Sequence, residues 1–245
     1  MINKELIIER FKKSLKTYDE EAHVQRIMAK RIIELLIEHK GKEFKNIFEI
    51  GCGTGLLTRE IEKNLSFKQL FINDIVKESY EYVKNIGREI EFLPGDIEEI
   101  EFPKDLDLII SNATFQWVID IQSILKKSYN ALNKKGILCF STFGKKNFIE
   151  FKQLSLPSLR YNTYIKDNQY FKVIHFEESV ETIHFKNFID ILKHIKKTGV
   201  NAVSKTVLTP YSFERIKELY TKNYMTSIGL SLTYNPIFYI LEKIQ

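Results

Sequence analysis

The sequence predicts an α/β fold in which helices cover both faces of a mostly parallel sheet. Apolar strand-like runs alternate with segments of helical spacing, and such βαβ units connect parallel strands in a right-handed manner. A glycine-rich turn follows the first strand-like run, at the edge of the sheet where α/β folds bind ligands. The predicted strands end near Ile50, Ile72, Leu93, Ile110 and Phe140, and helices are predicted at about 55–64, 77–87 and 120–131.

Further elements are predicted on both sides of this alternating segment. Apolar residues at helical spacing predict a helix over about 21–39, preceded by a shorter helix that breaks at residues 17–19. Beyond residue 144 the pattern predicts helices at 147–156, 187–198 and 211–222 and single strands at 172–185 and 229–244. Because no linker divides the chain, we expect one domain over 1–245, with a helical lid at 1–40, a ligand-binding core at 45–144 and a cap with the last two strands at 145–245.

The composition fits a globular protein of this class. The 245 residues are 44% hydrophobic and 28% charged, which excludes a disordered chain and provides enough apolar surface for a core. No apolar run approaches the ~18 residues of a membrane span, and the N-terminus lacks a signal-peptide pattern, so we expect a cytoplasmic protein. Two cysteines, Cys52 and Cys139, form neither a disulfide framework nor a metal cluster, and we expect both to be buried.

Charge is distributed unevenly around the overall value of +5. Residues 1–46 carry +3, residues 47–144 carry −4 and residues 145–245 carry +6. Basic flanks of this kind suit an acidic partner or substrate. Lysines that only solvate helix faces would produce the same distribution.

The clearest chemical signal is the turn after the first strand, Phe48-Glu49-Ile50-Gly51-Cys52-Gly53-Thr54-Gly55. Its glycines permit a tight turn and let a ligand lie against backbone N–H groups. The dinucleotide motif G-x-G-x-x-G would require a glycine at position 56, where this sequence has leucine. The pattern E-x-G-x-G-x-G instead resembles the first motif of class I S-adenosylmethionine (SAM) methyltransferases.

Three further strand ends carry polar residues that suit SAM. Asp74 lies 19 residues after Gly55, where its carboxylate can accept both ribose hydroxyl protons. We expect Asp96 to meet the adenine amino group with Ile97 against the ring, and Asn112 to lie beside the reacting methyl group. We therefore predict SAM as cofactor and S-adenosyl-L-homocysteine as its product, bound by Glu49, Gly51, Cys52, Gly53, Gly55, Asp74, Ile75, Asp96, Ile97, Asn112 and Ala113.

The segment after the fourth strand favours an acceptor that is already anionic. It has neither the prolines typical of amine methylation nor a nucleophilic cysteine, and the five histidines are scattered without the spacing of metal ligands. A carboxylate is ionised at pH 7 and needs no general base. We therefore predict a carboxyl O-methyltransferase without a metal, in which Tyr18, Asn112 and Gln116 position the acceptor and Trp117 contributes to the wall of its pocket.

The chain resembles the malonyl-acyl-carrier-protein O-methyltransferases of early biotin synthesis across nearly its full length. The matching segments are Tyr18-x-x-x-Ala22-x-x-Gln25, Ser111-Asn112-Ala113 with Gln116-Trp117, the turn at 194–200, and Leu232-Thr233-Tyr234. The chain departs from the family pattern at Val200, where alanine is usual, and at Asn235-Pro236, which interrupts the final strand. The resemblance implies a seven-stranded Rossmann-like sheet, an N-terminal lid, a helical insertion before the last strand, and malonyl-acyl-carrier protein as substrate. It also implies that Tyr18 and Gln25 of the lid contact SAM.

An acidic carrier protein would suit the basic flanks of the chain. The expected docking residues are Lys145, Lys146, Lys152, Arg160, Lys193, Lys196, Lys197 and Lys205. We expect a monomer that binds neither nucleic acid nor a membrane. Two alternatives stay open, namely a carboxyl methyltransferase of a free polycarboxylate such as trans-aconitate, and a non-catalytic SAM-binding partner subunit.

Overall fold

The computed structural model describes residues 2–87, 90–159, 161, 165–166, 168–199 and 209–244. Its strands are β1 (Asn46–Ile50), β2 (Gln69–Asp74), β3 (Ile90–Pro94), β4 (Leu106–Asn112), β5 (Leu132–Phe143), β6 (Phe171–Glu178), β7 (Glu181–Phe185), β8 (Met225–Thr226), β9 (Gly229–Tyr234) and β10 (Pro236–Lys243). Its α-helices are α1 (Lys4–Glu21), α2 (His23–Lys40), α3 (Leu56–Asn64), α4 (Tyr80–Val83), α5 (Ile121–Ala131), α6 (Ile149–Gln153), α7 (Phe188–Lys197) and α8 (Pro210–Tyr224).

Seven strands form one mostly parallel sheet in the order β3-β2-β1-β4-β5-β10-β6. The first five strands in this order are parallel, and β10 is antiparallel to both of its neighbours. This confirms the predicted fold class, and the five predicted strand ends lie within three residues of the observed ones. Because the parallel strands share one direction, β1, β2, β3, β4 and β5 all end at the same edge of the sheet.

Alternate residues of the central strands enter two hydrophobic cores, one on each face of the sheet. Ile47 packs with the apolar faces of α2 and α3, whereas Phe48 packs on the opposite side with Ile124 and Leu125 of α5. Strands buried on both faces have nearly continuous apolar sequences. The central strands were predictable for this reason, because their burial leaves little room for polar residues before the strand ends.

The N-terminal lid differs from the prediction in the position of its break. The first helix continues through residues 17–19 to Glu21, and the break falls at Ala22, with φ −77° and ψ 44°. Residues 17–19 contain neither glycine nor proline, so they impose only a small helix penalty that packing overcomes. The helix predicted at 77–87 is also shorter than expected, because a 3₁₀ turn at Lys77–Ser79 precedes the single turn of α4.

The two long strands predicted near the C-terminus are each divided between two sheets. Strands β6 and β10 complete the main sheet, whereas β7 and β9 form a second sheet with the order β7-β9-β8. Pro236 follows the break between β9 and β10, and the Asn235 amide donates to the Ser179 carbonyl over 2.7 Å at the matching break between β6 and β7. The prediction of single strands was therefore wrong, and the insertion before the last strand contains a small sheet beside α7 and α8.

Both cysteines are buried and unpaired, as predicted. Within the described ranges, no helix combines the length and the apolar composition that crossing a bilayer requires.

Candidate active site

The turn between β1 and α3 is built from three glycines with positive φ, at 74° for Gly51, 54° for Gly53 and 84° for Gly55. A Cβ on Gly51 would lie 2.2 Å from Thr114 Oγ1, and one on Gly55 would lie 2.6 Å from Ile86 Cδ1. A Cβ on Gly53 would meet no atom within 4 Å. The outer glycines therefore allow close packing, and the central one leaves open space in front of the backbone, as a bound ligand requires.

Asp74 lies at the end of β2 and fixes the shape of this turn. Its Oδ2 accepts a hydrogen bond from the Gly53 amide over 2.7 Å, and its Oδ1 accepts one from the Val76 amide, also over 2.7 Å. Burial raises the pKa of the Asp74 carboxyl to about 6, although these hydrogen bonds favour its charged form. Asp74 thus stands beside the glycine turn in the cavity wall, where the sequence placed it.

Asp96 follows β3 and contacts a lysine that the sequence analysis did not identify. The Lys4 ammonium, at the start of α1, lies 3.1 Å from Asp96 Oδ2 and 2.6 Å from Glu98 Oε2. Glu98 also accepts from the backbone amides of Ile119 and Asp120, over 3.1 and 2.8 Å. Lys4 consequently joins the lid to the strand end that was predicted to bind adenine.

The end of β4 carries a network of side-chain amides. Asn112 Nδ2 donates to the Gln25 carbonyl over 3.0 Å, and its Oδ1 accepts from the Ser141 hydroxyl over 2.6 Å. Gln116 donates to the Ala113 carbonyl over 2.5 Å and accepts from the Thr142 hydroxyl over 3.0 Å. Asn112 lines the cavity, whereas Gln116 lies behind the lining and holds the loop in place.

Helix α1 covers the cavity with one face. Tyr18 is half-buried, and burial together with the neighbouring carboxylates of Asp19 and Asp74 raises the pKa of its phenol well above the usual value. Phe11 meets Trp117 edge to face, with 5.4 Å between the ring centroids. The cavity-lining residues of α1 recur at helical spacing and are Lys4, Ile7, Phe11, Ser14, Leu15 and Tyr18.

The strand ends and α1 together line one cavity, which is open to solvent on one side. Of the predicted site residues, those that line it are Tyr18, Gly51, Cys52, Gly53, Asp74, Ile75, Asp96, Ile97, Asn112, Ala113 and Trp117. Gln25, Glu49, Gly55 and Gln116 lie outside the lining. Of the lining residues in α1, only Tyr18 was predicted from the sequence. The helical spacing of the others is informative only when α1 is continuous to Glu21.

Glu49 lies beneath the glycine turn as a fully buried carboxyl group. Its Oε2 accepts from the Thr58 hydroxyl over 2.8 Å, and its Oε1 has no hydrogen-bond partner within the described part of the chain. Burial is the main cause, and the negative charge of Asp74 a smaller one, of a pKa raised from 4.5 to about 8 for the Glu49 carboxyl.

The predicted docking lysines fall into two groups. Lys197 pairs with Glu21 of α1, 3.0 Å away, so it connects the cap to the lid. Lys145, Lys146 and Lys196 are exposed. Arg160 and Lys205 lie outside the described residues. Within the described ranges, no group of three or more His, Cys, Asp or Glu side chains could hold a metal ion.

The fold and the cavity match a known class of enzyme. The family model described as a methyltransferase domain matches residues 48–140, which include the glycine turn and Asp74, Asp96 and Asn112. Together with the strand order, this match makes the chain a class I, SAM-dependent methyltransferase.

Curated relatives identify the family to which the chain belongs within this class. The malonyl-[acyl-carrier protein] O-methyltransferase of Calditerrivibrio nitroreducens is 39% identical over 237 residues, which cover 95% of this chain and 94% of the relative. The protein of the same name from Bacteroides thetaiotaomicron is 33% identical, with 99% of each chain covered. The chain belongs to the malonyl-[acyl-carrier protein] O-methyltransferase family.

Solved structures show the same fold at low sequence identity. The YcgJ protein of Bacillus subtilis is 14% identical with a TM-score of 0.58, over 88% of this chain and 98% of that one. The N-methyltransferase NodS of Bradyrhizobium japonicum, solved with S-adenosyl-L-homocysteine, is 11% identical with a TM-score of 0.50, over 90% of this chain and 87% of that one. These likenesses concern the fold alone.

Proposed function

We propose that this chain methylates the free carboxylate of malonyl-acyl-carrier protein, an early step of biotin synthesis. The observation that carries the proposal is the similarity, over nearly the whole chain, to relatives that bear this name. We further propose that the protein acts in the cytoplasm as a monomer, and that neither nucleic acid nor a membrane is its partner.

The proposed contacts with SAM involve the glycine turn and two strand ends. The open backbone at Gly53 would receive the amino-acid part of SAM, and Asp74 would accept from the ribose hydroxyls. Asp96 would accept from the adenine amino group, with Ile97 against the ring. The positions of these four residues in one cavity wall support this assignment.

The ionisable groups of the cavity support an acceptor that needs no deprotonation. The Asp74 and Asp96 carboxylates are already bound by backbone amides or by Lys4. The raised pKa of Tyr18 keeps its phenol protonated, so the hydroxyl can donate a hydrogen bond to a carboxylate but cannot act as a base at pH 7. Tyr18 and the β4 end at Asn112 would therefore orient the acceptor.

SAM supplies an electrophilic methyl group on a sulfonium. In the proposed reaction a malonyl carboxylate oxygen forms a bond to that methyl carbon as the carbon–sulfur bond breaks. A methyl ester and S-adenosyl-L-homocysteine result, and no proton is transferred. The apolar contact between Phe11 and Trp117 would exclude water from the cavity, which strengthens the hydrogen bonds that hold the anion.

The deciding experiment compares methyl-ester formation on malonyl-acyl-carrier protein, malonyl-coenzyme A, malonate and trans-aconitate at matched concentrations. We expect the highest kcat/KM on the carrier-bound substrate. Preference for a free acid would instead indicate a small-molecule carboxyl methyltransferase, and SAM binding without turnover would indicate a partner subunit. Tyr18→Phe is the matched variant, and it should lower kcat about tenfold through loss of one hydrogen bond to a charged group.

A further inference from the structure

A second groove lies beside the end of β5 and is separate from the SAM cavity. It is formed by the segment after α6, and its lining includes Lys145, Lys152, Ser155, Leu156, Ser158 and Tyr161. We call this surface the Lys152 groove. It combines two lysines and two serine hydroxyls with apolar side chains, a mixture that suits a ligand with an anionic group on a less polar chain.

Lys152 is a half-buried cation without a carboxylate partner among the described residues. Its ammonium donates to the Lys145 carbonyl and lies 5.0 Å from the centre of the Tyr161 ring. Burial lowers its pKa, which means that the charged form has lost hydration that no anion replaces. An anion placed in the groove would supply the missing interaction.

The two serines offer hydrogen bonds to the same ligand. The hydroxyls of Ser155 and Ser158 have no hydrogen-bond partner within the described part of the structure. Ser155 has a positive φ of 55°, and its amide donates to the Lys152 carbonyl over 3.0 Å, which places the two residues at one tight turn. One ammonium and two hydroxyls are donors that a phosphate oxygen accepts.

The groove is connected to the acceptor side of the cavity through the end of β5. Tyr161 contacts Phe143, the last residue of that strand, with 6.3 Å between ring centroids. Ser141 of the same strand end holds Asn112. Extended residues advance about 3.3 Å each. Phe143, which contacts the groove, therefore lies close along β5 to Ser141, which holds Asn112 of the proposed acceptor wall.

We propose that the Lys152 groove binds the phosphodiester of the prosthetic arm through which an acyl carrier protein presents its thioester. This inference rests on the proposed function, because only a carrier-bound substrate brings such an arm. Lys152 would pair with the phosphate and the serines would donate to it. The apolar groove residues would contact the arm as it runs toward the acceptor wall.

Binding tests the groove without requiring turnover. The affinities of holo-carrier protein, which bears the arm, and apo-carrier protein, which lacks it, are measured by titration for the wild-type chain, Lys152→Gln and Lys30→Gln. Lys30 is an exposed lysine of α2 and serves as the matched control. We expect Lys152→Gln to weaken holo-carrier binding about tenfold, the loss of one charge-assisted contact, and to leave apo-carrier binding unchanged. Ser155→Ala with Ser158→Ala should act in the same direction, by about threefold.

Equal weakening of holo- and apo-carrier binding would overturn the proposal, because Lys152 would then contact the carrier surface instead of the arm. Unchanged binding of both forms, or no preference of the wild-type chain for the holo form, would overturn it as well. The ratio of the affinities for holo- and apo-carrier protein tests the proposed groove even if no carboxylate is methylated. In that case only the proposed function fails.

Turnover kinetics distinguish a role of Lys152 in binding the arm from a role in the structure of the active site. Malonyl-N-acetylcysteamine is a thioester without a phosphate, and Lys152→Gln should leave its kcat/KM unchanged. The same variant should raise the KM for malonyl-acyl-carrier protein about tenfold at constant kcat. Malonyl-coenzyme A, which also carries a phosphate on a pantetheine arm, should respond in the same direction. An equal loss on the phosphate-free thioester would assign Lys152 a structural role and overturn the proposal.

Discussion

Glu49→Gln should remove most of the dependence of stability on pH between pH 6 and 9. The wild-type carboxyl is fully buried, and its pKa is raised from 4.5 to about 8, mainly by burial. A group whose pKa is raised by folding stabilises the folded state below its unfolded pKa and loses that contribution as the pH rises toward its folded pKa. The wild-type protein without SAM should therefore become less stable as Glu49 ionises.

The size of the expected change in stability follows from the width of the pH interval over which Glu49 ionises. Between pH 6 and 9 the folded state loses its extra proton around pH 8, which is equivalent to about two pH units at roughly 1.36 kcal/mol each, so stability should fall by about 3 kcal/mol. Asp74, with a pKa of about 6, contributes mainly below this window. Glutamine keeps the shape of Glu49 and can still accept from the Thr58 hydroxyl, but it carries no charge to bury.

The assay is urea unfolding of both proteins at pH 6 and pH 9 without SAM. We expect the variant to be more stable than the wild-type chain at pH 9 by about 3 kcal/mol relative to their difference at pH 6. A wild-type chain and a variant with the same pH dependence would refute the reasoning, since Glu49 would then not change its ionisation in this range.

Three other experiments test the proposed SAM site and its lid. Asp74→Ala should weaken SAM binding by at least about tenfold in calorimetry, because contacts to the ribose and to the Gly53 amide are lost, and unchanged affinity would reject the ribose assignment. Gly51→Ala should lower the free energy of unfolding in urea by about 3 kcal/mol, because its Cβ would meet Thr114 at a positive φ. Gly53→Ala, whose Cβ meets no atom, should lower it by only about 1 kcal/mol. Equal losses would contradict the packing argument. Lys4→Gln should increase the rate of SAM dissociation about fivefold in stopped flow. The control Lys12→Gln breaks a more exposed ion pair of α1 and should change this rate less than about twofold. Equal dissociation rates for the two variants would show that Lys4 does not hold the lid against the cavity.

The central sheet and the polar residues that line the cavity at its strand ends were predictable because both depend on local sequence. Buried parallel strands require apolar runs, and Asp74, Asp96 and Asn112 were identified only as the polar residues at which such runs end. The role of Gln116 was less visible, because a side-chain amide can position a substrate or hold a loop. The hydrogen bond between Gln116 and Thr142 gives this amide a partner in β5, which no pattern around position 116 indicates.

Two other features depend on contacts between distant parts of the chain. Lys4 reaches Asp96 across 92 positions, and an isolated lysine near the N-terminus has the same local pattern whether or not it does so. Asn235-Pro236 was noticed as an interruption, but its meaning depends on the matching break after Glu178 in a partner strand. Only the pairing of β6 with β10 and of β7 with β9 shows that each break separates a strand of the main sheet from a strand of the second sheet.

The lid contacts the core and the cap at once, which links the two halves of the proposed reaction. Along one face of α1, Lys4 bonds to the end of β3, and Asp19 accepts from the Thr54 hydroxyl in the glycine turn over 2.5 Å. At its last residue, Glu21 lies 2.9 Å from Nδ1 of His194 in α7, and Nε2 of that buried imidazole lies 2.7 Å from the Tyr234 hydroxyl of β9. The helix that covers the cavity is therefore held by the cap as well as by the core. A displacement of α1 that opens the cavity must break contacts with both, so under the proposed function the binding of SAM is expected to be coupled to the position of the cap.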